Sequence, residues 1–202
     1  MLNLPEITQL QKPLPKAQIY KKFLFNNAQQ TKFDTDISRI DIVNEVSTKT
    51  IPSIQEGENI KSFYVLSVTL KNKDYDIKNI EKISKLIPQN LIFALQYEDE
   101  IQLAVFCEKI FTTDWMHETK AKLELKGLNF DEVWENIIKK IEGGEWDSEL
   151  SLKENIELKE KKEKLQKEID KLEKMARKEV QPKKKFELVS KKRKLEEELN
   201  TL

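Results

Sequence analysis

The stretch IKNIEKISKLIPQNLIFALQYEDEIQLAVF, Ile77 to Phe106, changes period twice, and those changes decide the fold class. Ile77, Ile80, Ile83 and Ile87 recur at helical spacing and share one face. Pro88 ends that helix because it brings no amide hydrogen to the ladder. Leu91–Tyr97 and Ile101–Phe106 are then short apolar runs on either side of Glu98-Asp99-Glu100. Two such runs about a short polar connection predict a β-hairpin.

Upstream, Phe63–Leu70 is rich in aromatic and β-branched residues, and Ile40–Val46 partly alternates; both are expected strands. Ile19, Tyr20, Phe23 and Leu24 predict a helix over Lys16–Gln29, and Thr31–Ile40 a second, short one. Pro5, Pro13 and Pro15 make the first residues an extended surface arm. Downstream, Phe111–Leu125 has no clear period, with a short strand expected at Lys122–Lys126. A helix opens after Asn129, where Phe130, Val133, Trp134, Ile137, Ile138 and Ile141 form an apolar stripe. The expected fold is α+β: a small antiparallel or mixed sheet covered by helices.

The paired glycines in Glu142-Gly143-Gly144-Glu145-Trp146-Asp147-Ser148 end that helix, and Ser151 with Glu154 forms a capping-box pattern that opens another. The expected domains are therefore residues 1–148, the α+β body with its arm, and 149–202, a helical hairpin. In the second part Leu158, Leu165 and Leu172 recur every seven residues, with Ile169 and Ala176 between. Leu188, Leu195 and Leu202 do the same, with Leu199 between. Pro182 separates the runs, so two antiparallel helices should turn near Val180–Lys184. Glu157–Lys161, Glu160–Lys164 and Glu163–Lys167 are expected ion pairs. Lys162 and Lys192 fall at core positions and argue against a long two-stranded zipper. The thin leucine seam offers Leu158, Leu165, Leu172, Leu188 and Leu195 for homo-oligomer formation.

The chain has 202 residues, with 36 Lys plus Arg and 36 Asp plus Glu. This neutrality hides a split: residues 1–150 carry 19 basic and 24 acidic groups, and residues 151–202 carry 17 and 12. Residues 171–194 concentrate 11 basic groups against three acids. Arg177, Lys178, Lys183, Lys184, Lys185, Lys191, Lys192, Arg193 and Lys194 would gather at and below the hairpin tip. Lysines in such density suit phosphate backbones, because each contact releases condensed counterions without reading a base. A solvated face or an acidic protein surface are the other readings of the same charges. Phe186 is the only aromatic among these lysines, which gives base stacking little to work with.

Composition also excludes. No apolar run approaches the roughly 20 residues a membrane-spanning helix needs, so no membrane role is expected. The first 30 residues lack an apolar signal core, so the expected location is the cytoplasm. One Cys and one His exclude a Cys/His zinc site within one chain, and none of the four glycines sits in a phosphate-cradling loop. No cofactor is expected. Glu124-Leu125-Lys126 has the E-x-K form of metal-dependent nucleases, with Asp41 or Asp114 as the further carboxylate. Such a trio arises readily by chance in a chain this rich in Glu and Lys. Cys107 and His117 are the available nucleophile–base pair, although cysteine at the end of an apolar strand is normally inert. Trp115, Trp134 and Trp146 read as packing residues.

Four segments carry a family resemblance: Leu14-Pro15-Lys16, the run Ile87–Tyr97, Thr113-Asp114-Trp115, and Leu125-Lys126-Gly127-Leu128-Asn129-Phe130-Asp131-Glu132-Val133-Trp134-Glu135-Asn136. They resemble a prokaryotic family whose domain is labelled as of unknown function. Phe130 and Trp134 stand where that family usually has Leu and Tyr. The family's members are typically encoded beside a DNA methyltransferase and a DEAD/DEAH-type helicase, in loci like those of type III restriction systems. The resemblance implies a role in anti-phage defence or restriction-modification, with a helicase or DNA methyltransferase as protein partner. The combined expectation is a non-catalytic accessory subunit whose basic hairpin contacts DNA or RNA. The alternatives are a nuclease using Glu124 and Lys126, and a self-association module.

Overall fold

A computed structural model describes residues 2–144, 146–147 and 150–201. Glu145, Ser148 and Leu202, which enter the boundary and heptad readings, lie outside the described residues. The chain divides into two compact units, 1–144 and 145–202.

The first unit is built on a seven-stranded mixed sheet. Its strands are β1 (Gln9–Pro13), β2 (Ile37–Ser47), β3 (Ser62–Leu70), β4 (Asn90–Tyr97), β5 (Glu100–Cys107), β6 (Lys109–Thr112) and β7 (Met116–His117). The spatial order is β1-β2-β3-β4-β5-β6, with β7 also on β5. Only β3 and β4 run parallel, joined through α3 (Ile77–Leu86). The expected hairpin is β4–β5, in register from Ile92↔Val105 to Tyr97↔Glu100.

Period-2 alternation sorts the side chains between two helical layers. Leu66, Val68, Leu91, Phe93 and Leu95 share a core with Ile19, Phe25, Phe33, Ile80 and Ile83. Those partners come from α1 (Lys16–Lys22), α2 (Asn27–Asp36), the loop between them, and α3. Phe63, on the opposite face, packs against Phe130 and Trp134 of α4 (Phe130–Glu142) at ring separations of 6.4 and 5.5 Å. Central strands covered on both faces read as unbroken apolar runs, which is how β3 and β4 read.

Four expectations are corrected. The arm expected on the surface buries Leu2, Leu4 and Thr8, and its Gln9–Pro13 pairs with β2 as the edge strand β1. The helix expected over Lys16–Gln29 stops at Lys22; Leu24 turns with φ +51°, and Asn26 caps a new helix, exchanging hydrogen bonds with Gln29. The helix expected at Thr31–Ile40 is therefore Asn27–Asp36, and β-branched Ile37 already begins β2. The expected strand Lys122–Lys126 is irregular: Ala121 and Leu123 are buried in alternation, but the backbone joins no ladder, and Leu123 N–H donates to Leu2 O at 3.0 Å. Alternation there reports a chain lying on an apolar surface.

The second unit holds α5 (Leu152–Lys178) and α6 (Pro182–Asn200), packed as a hairpin. The capping box at its start is present: Ser151 Oγ accepts from Glu154 N–H at 3.3 Å, and Glu154 accepts from Ser151 N–H at 2.9 Å. Pro182 occupies the first turn of α6, where a missing N–H costs nothing.

Candidate nucleic-acid interface

The hairpin seam is narrow. Leu165, Ile169 and Ala176 of α5 are buried, while Leu158, Leu172, Leu188, Leu195 and Leu199 are half-buried. No described residue of α6 is buried. Lys192 occupies a seam position and is tied down: its ammonium lies 3.4 Å from Glu173 and 3.4 Å from Glu196. Desolvation would lower its pKa, but these two carboxylates outweigh it and raise it. Arg177 and then Lys192 hold Glu173 below the usual glutamate range. Arg193 reaches Glu197 at 3.6 Å. Among the expected i,i+4 pairs, Glu160–Lys164 forms at 3.7 Å, whereas Lys161 crosses to Glu198 at 3.2 Å.

The remaining expected contact residues differ. Lys178, Lys183, Lys184, Lys185, Lys191 and Lys194 are exposed and have no carboxylate partner among the described residues. Lys178 and Lys183–Lys185 flank a turn of three residues, with Lys191 and Lys194 about 14 and 18 Å further along α6, so the tip is net positive despite Glu179 in the turn and Glu187 in α6. Phe186, 73% exposed, and Val180, 89% exposed, lie among them.

Sequence reasoning missed Lys167, Lys171 and Lys174. These also lack carboxylate partners among the described residues, and with Lys178 they line an open groove of about 380 Å³ beside Met175. The signal was available: Lys164, Lys167, Lys171, Lys174 and Lys178 are spaced three, four, three and four, which is one helix face.

The catalytic alternatives gain no assembled geometry. His117 pairs in register with Glu100 at one end of β5, and Cys107 closes the other end. Seven strand residues separate them by about 23 Å. Burial, then Glu108, pushes the Cys107 thiol up, away from the reactive thiolate. Glu124 is bound by Lys126 at 2.6 Å and Lys140 at 3.4 Å, both of which hold its carboxyl low. Asp41 is engaged by Arg39 at 2.6 Å, and Asp114 is exposed. No group of three or more His, Cys, Asp or Glu side chains gathers as a metal site among the described residues. A cleft of about 480 Å³ at one end of the sheet contains Lys61 and Lys85, but Glu56 and Glu81 already partner them.

The run Leu125–Asn136 is a folding device. Asn129 caps α4 by accepting from Glu132 N–H at 3.0 Å. A Cβ at Gly127 would lie 2.8 Å from Val133 N, and its φ of +150° is a further bar to other residues. Asp131 accepts the N–H groups of Glu58 and Ile60 at 2.8 and 2.7 Å and that of Asn59 at 3.2 Å. Burial would raise its carboxyl, but these N–H groups and Lys61 hold it below the usual aspartate range. A Cβ on Gly57 would fall 2.3 Å from Asp131 Oδ1, so the loop can wrap the carboxylate only with glycine there. Trp134 is core, and Trp115 is partly buried with Lys73 over its ring at 5.6 Å.

Fold and site define a class: a mixed-sheet α+β body followed by a helical hairpin with a lysine-rich tip. The chain belongs to the family described as a domain of unknown function (DUF4391), whose family model matches residues 2–199. No curated protein and no solved structure matches it. Among the described residues no helix is long and apolar enough to cross a membrane.

Proposed function

We propose that the protein is a non-catalytic accessory subunit of a DNA restriction or defence system in the cytoplasm. Its hairpin contacts nucleic-acid phosphates, and its α+β body docks a helicase or DNA methyltransferase. One observation carries the phosphate contact: Lys178, Lys183, Lys184 and Lys185 at the hairpin turn, with Lys191 and Lys194 below it, have no carboxylate partner among the described residues. Solvated Lys/Glu faces normally intersperse the two signs, as residues 153–164 of α5 do. The helicase or methyltransferase partner rests on the family resemblance.

The test is a gel-shift titration of labelled DNA and RNA with the wild-type chain and with Lys183/Lys184/Lys185→Glu. The reading expects charge reversal to weaken binding by at least tenfold for every sequence tried. Undiminished binding contradicts the tip. Co-purification with a co-expressed helicase or DNA methyltransferase of the kind the family resemblance implies tests the docking half, and absence of any complex removes it.

Self-association is the second reading, favoured by one observation: α6 leaves Phe186 and Val189 73% and 47% exposed and buries none of its described residues. Light scattering decides it, since a monomer at high concentration leaves that face without a second copy.

A further inference from the structure

The outer face of α5 carries a row of cations that the tip does not account for. At about 100° per residue, Lys167, Lys171, Lys174 and Lys178 fall within an arc of about 60°, diametrically opposite Ile169. Ile169 is buried in the seam, so the row occupies the outermost line of the helix. All four lysines are exposed and lack a carboxylate partner among the described residues. Two acids flank the row among the described residues: Asp170 in the same groove, where it accepts from Gln166 at 2.8 Å, and Glu168 in the adjoining groove beside Lys167 and Lys171. The four lysines span 11 helical steps, or about 16 Å.

Rigidity and spacing select the ligand. The row is fixed on one 27-residue helix, so it presents a straight line of charge. Duplex DNA is equally stiff over this length and offers one phosphate per about 1.7 Å of axis, against about 3.4 Å for one strand alone. Along the row, the duplex therefore presents about twice the phosphate density of a single strand. A flexible single strand would have to be straightened to match, and the row contains no aromatic platform to repay that ordering by stacking. The major groove of B-form DNA, about 12 Å wide, admits an α-helix, whereas that of A-form RNA is deep and narrow. Lys167 and Lys174 lie on one side of the row's midline and Lys171 and Lys178 on the other. Their flexible stems thus reach toward both walls of such a groove.

We infer that the outer face of α5 is a duplex-DNA binding surface, lying along the major groove and gripping phosphates on both walls through Lys167, Lys171, Lys174 and Lys178. This rests on the hairpin's proposed role in phosphate contact and specifies its ligand. The contact is sequence-tolerant, because lysines on phosphates read no bases.

The experiment uses the full chain and two triple variants, Lys167/Lys171/Lys174→Gln on the row and Lys183/Lys184/Lys185→Gln at the tip. Folding is checked by circular dichroism. Anisotropy titrations use duplex DNA, duplex RNA and single-stranded DNA of matched length at several salt concentrations. The row variant is expected to bind duplex DNA about tenfold more weakly or worse, with the salt slope reduced by about 2.7, three contacts at about 0.9 each. Its affinity for duplex RNA and single strands should change less than threefold. An equal loss on all three ligands overturns the inference, leaving a general polyanion face. A row variant that binds as wild type while the tip variant fails also overturns it, and leaves the proposed function standing. Wild-type protein that binds no nucleic acid overturns both.

Discussion

The two units use charge in opposite ways. In the α+β body several carboxylates hold the chain together. Asp36 accepts from Asp76 N–H and Asn79 Nδ2, Asp131 holds a loop, and Asp34 takes both Lys16 Nζ and Tyr20 Oη, at 2.5 and 2.7 Å. In the hairpin, Glu173, Glu196, Glu197 and Glu198 are taken up by nearby cations, and a surplus of lysines remains. A charged residue with a short local partner is explained by the fold. A cluster of cations with no partner is left unexplained by the fold. That difference is what supports the proposed contact surface on the hairpin, although the more recognisable sequence runs lie in the body.

The comparison breaks most severely at the body's core. Phe63→Ala removes a fully buried ring that meets Phe130 and Trp134, and should cost about 3–5 kcal/mol by denaturant titration. A loss below 1 kcal/mol would mean that the α4 layer is not packed as described.

Asp131→Asn tests whether the body's acids are structural, and should cost about 1–2 kcal/mol at neutral pH. The pH dependence has a definite sign. The folded carboxyl lies below its ordinary value of 3.8, so its contribution is full above that value and is lost as pH falls through the lower, folded one. The stability gap between wild type and Asp131→Asn should therefore close below about pH 4. A gap that widens with acid contradicts the loop clamp.

A subtler contrast lies within the hairpin. Lys192→Met should leave nucleic-acid affinity within about twofold, because that ammonium is already shared by Glu173 and Glu196. Lys184→Met removes a free cation and should weaken binding several-fold at low salt. Equal effects would erase the distinction between engaged and free lysines. The smallest expected change is in stability. Lys183/Lys184/Lys185→Gln should shift the thermal midpoint hardly at all, since exposed lysines without partners hold nothing in place.

Much of this was legible from residue order. Ile77–Phe106 showed the helix, the stop and the hairpin because its apolar period switches cleanly from helix to strand. The capping box at Ser151, the turn at Pro182 and the core stripe of α4 were equally local signals. What could not be read depended on distant partners. Lys192 looks like its neighbours in sequence, and only packing against α5 brings Glu173 to it. The break after Lys22 needed the burial of Phe25 against Tyr20 and Phe33 to be visible. The pairing of β3 with β4 in parallel is set by α3 crossing over, and strand composition does not encode it. The row Lys167–Lys178 was legible but hidden, because attention to runs of adjacent lysines passes over lysines spaced three and four apart.

The most direct test of the central claim is the slope of log affinity against log salt for nucleic-acid binding, in wild type and in Lys183/Lys184/Lys185→Gln. If the unpartnered tip lysines are the phosphate contacts, the wild-type slope is steep, and the variant loses about two to three in magnitude. An identical slope in the two proteins would place any binding elsewhere and return the tip to an ordinary solvated surface.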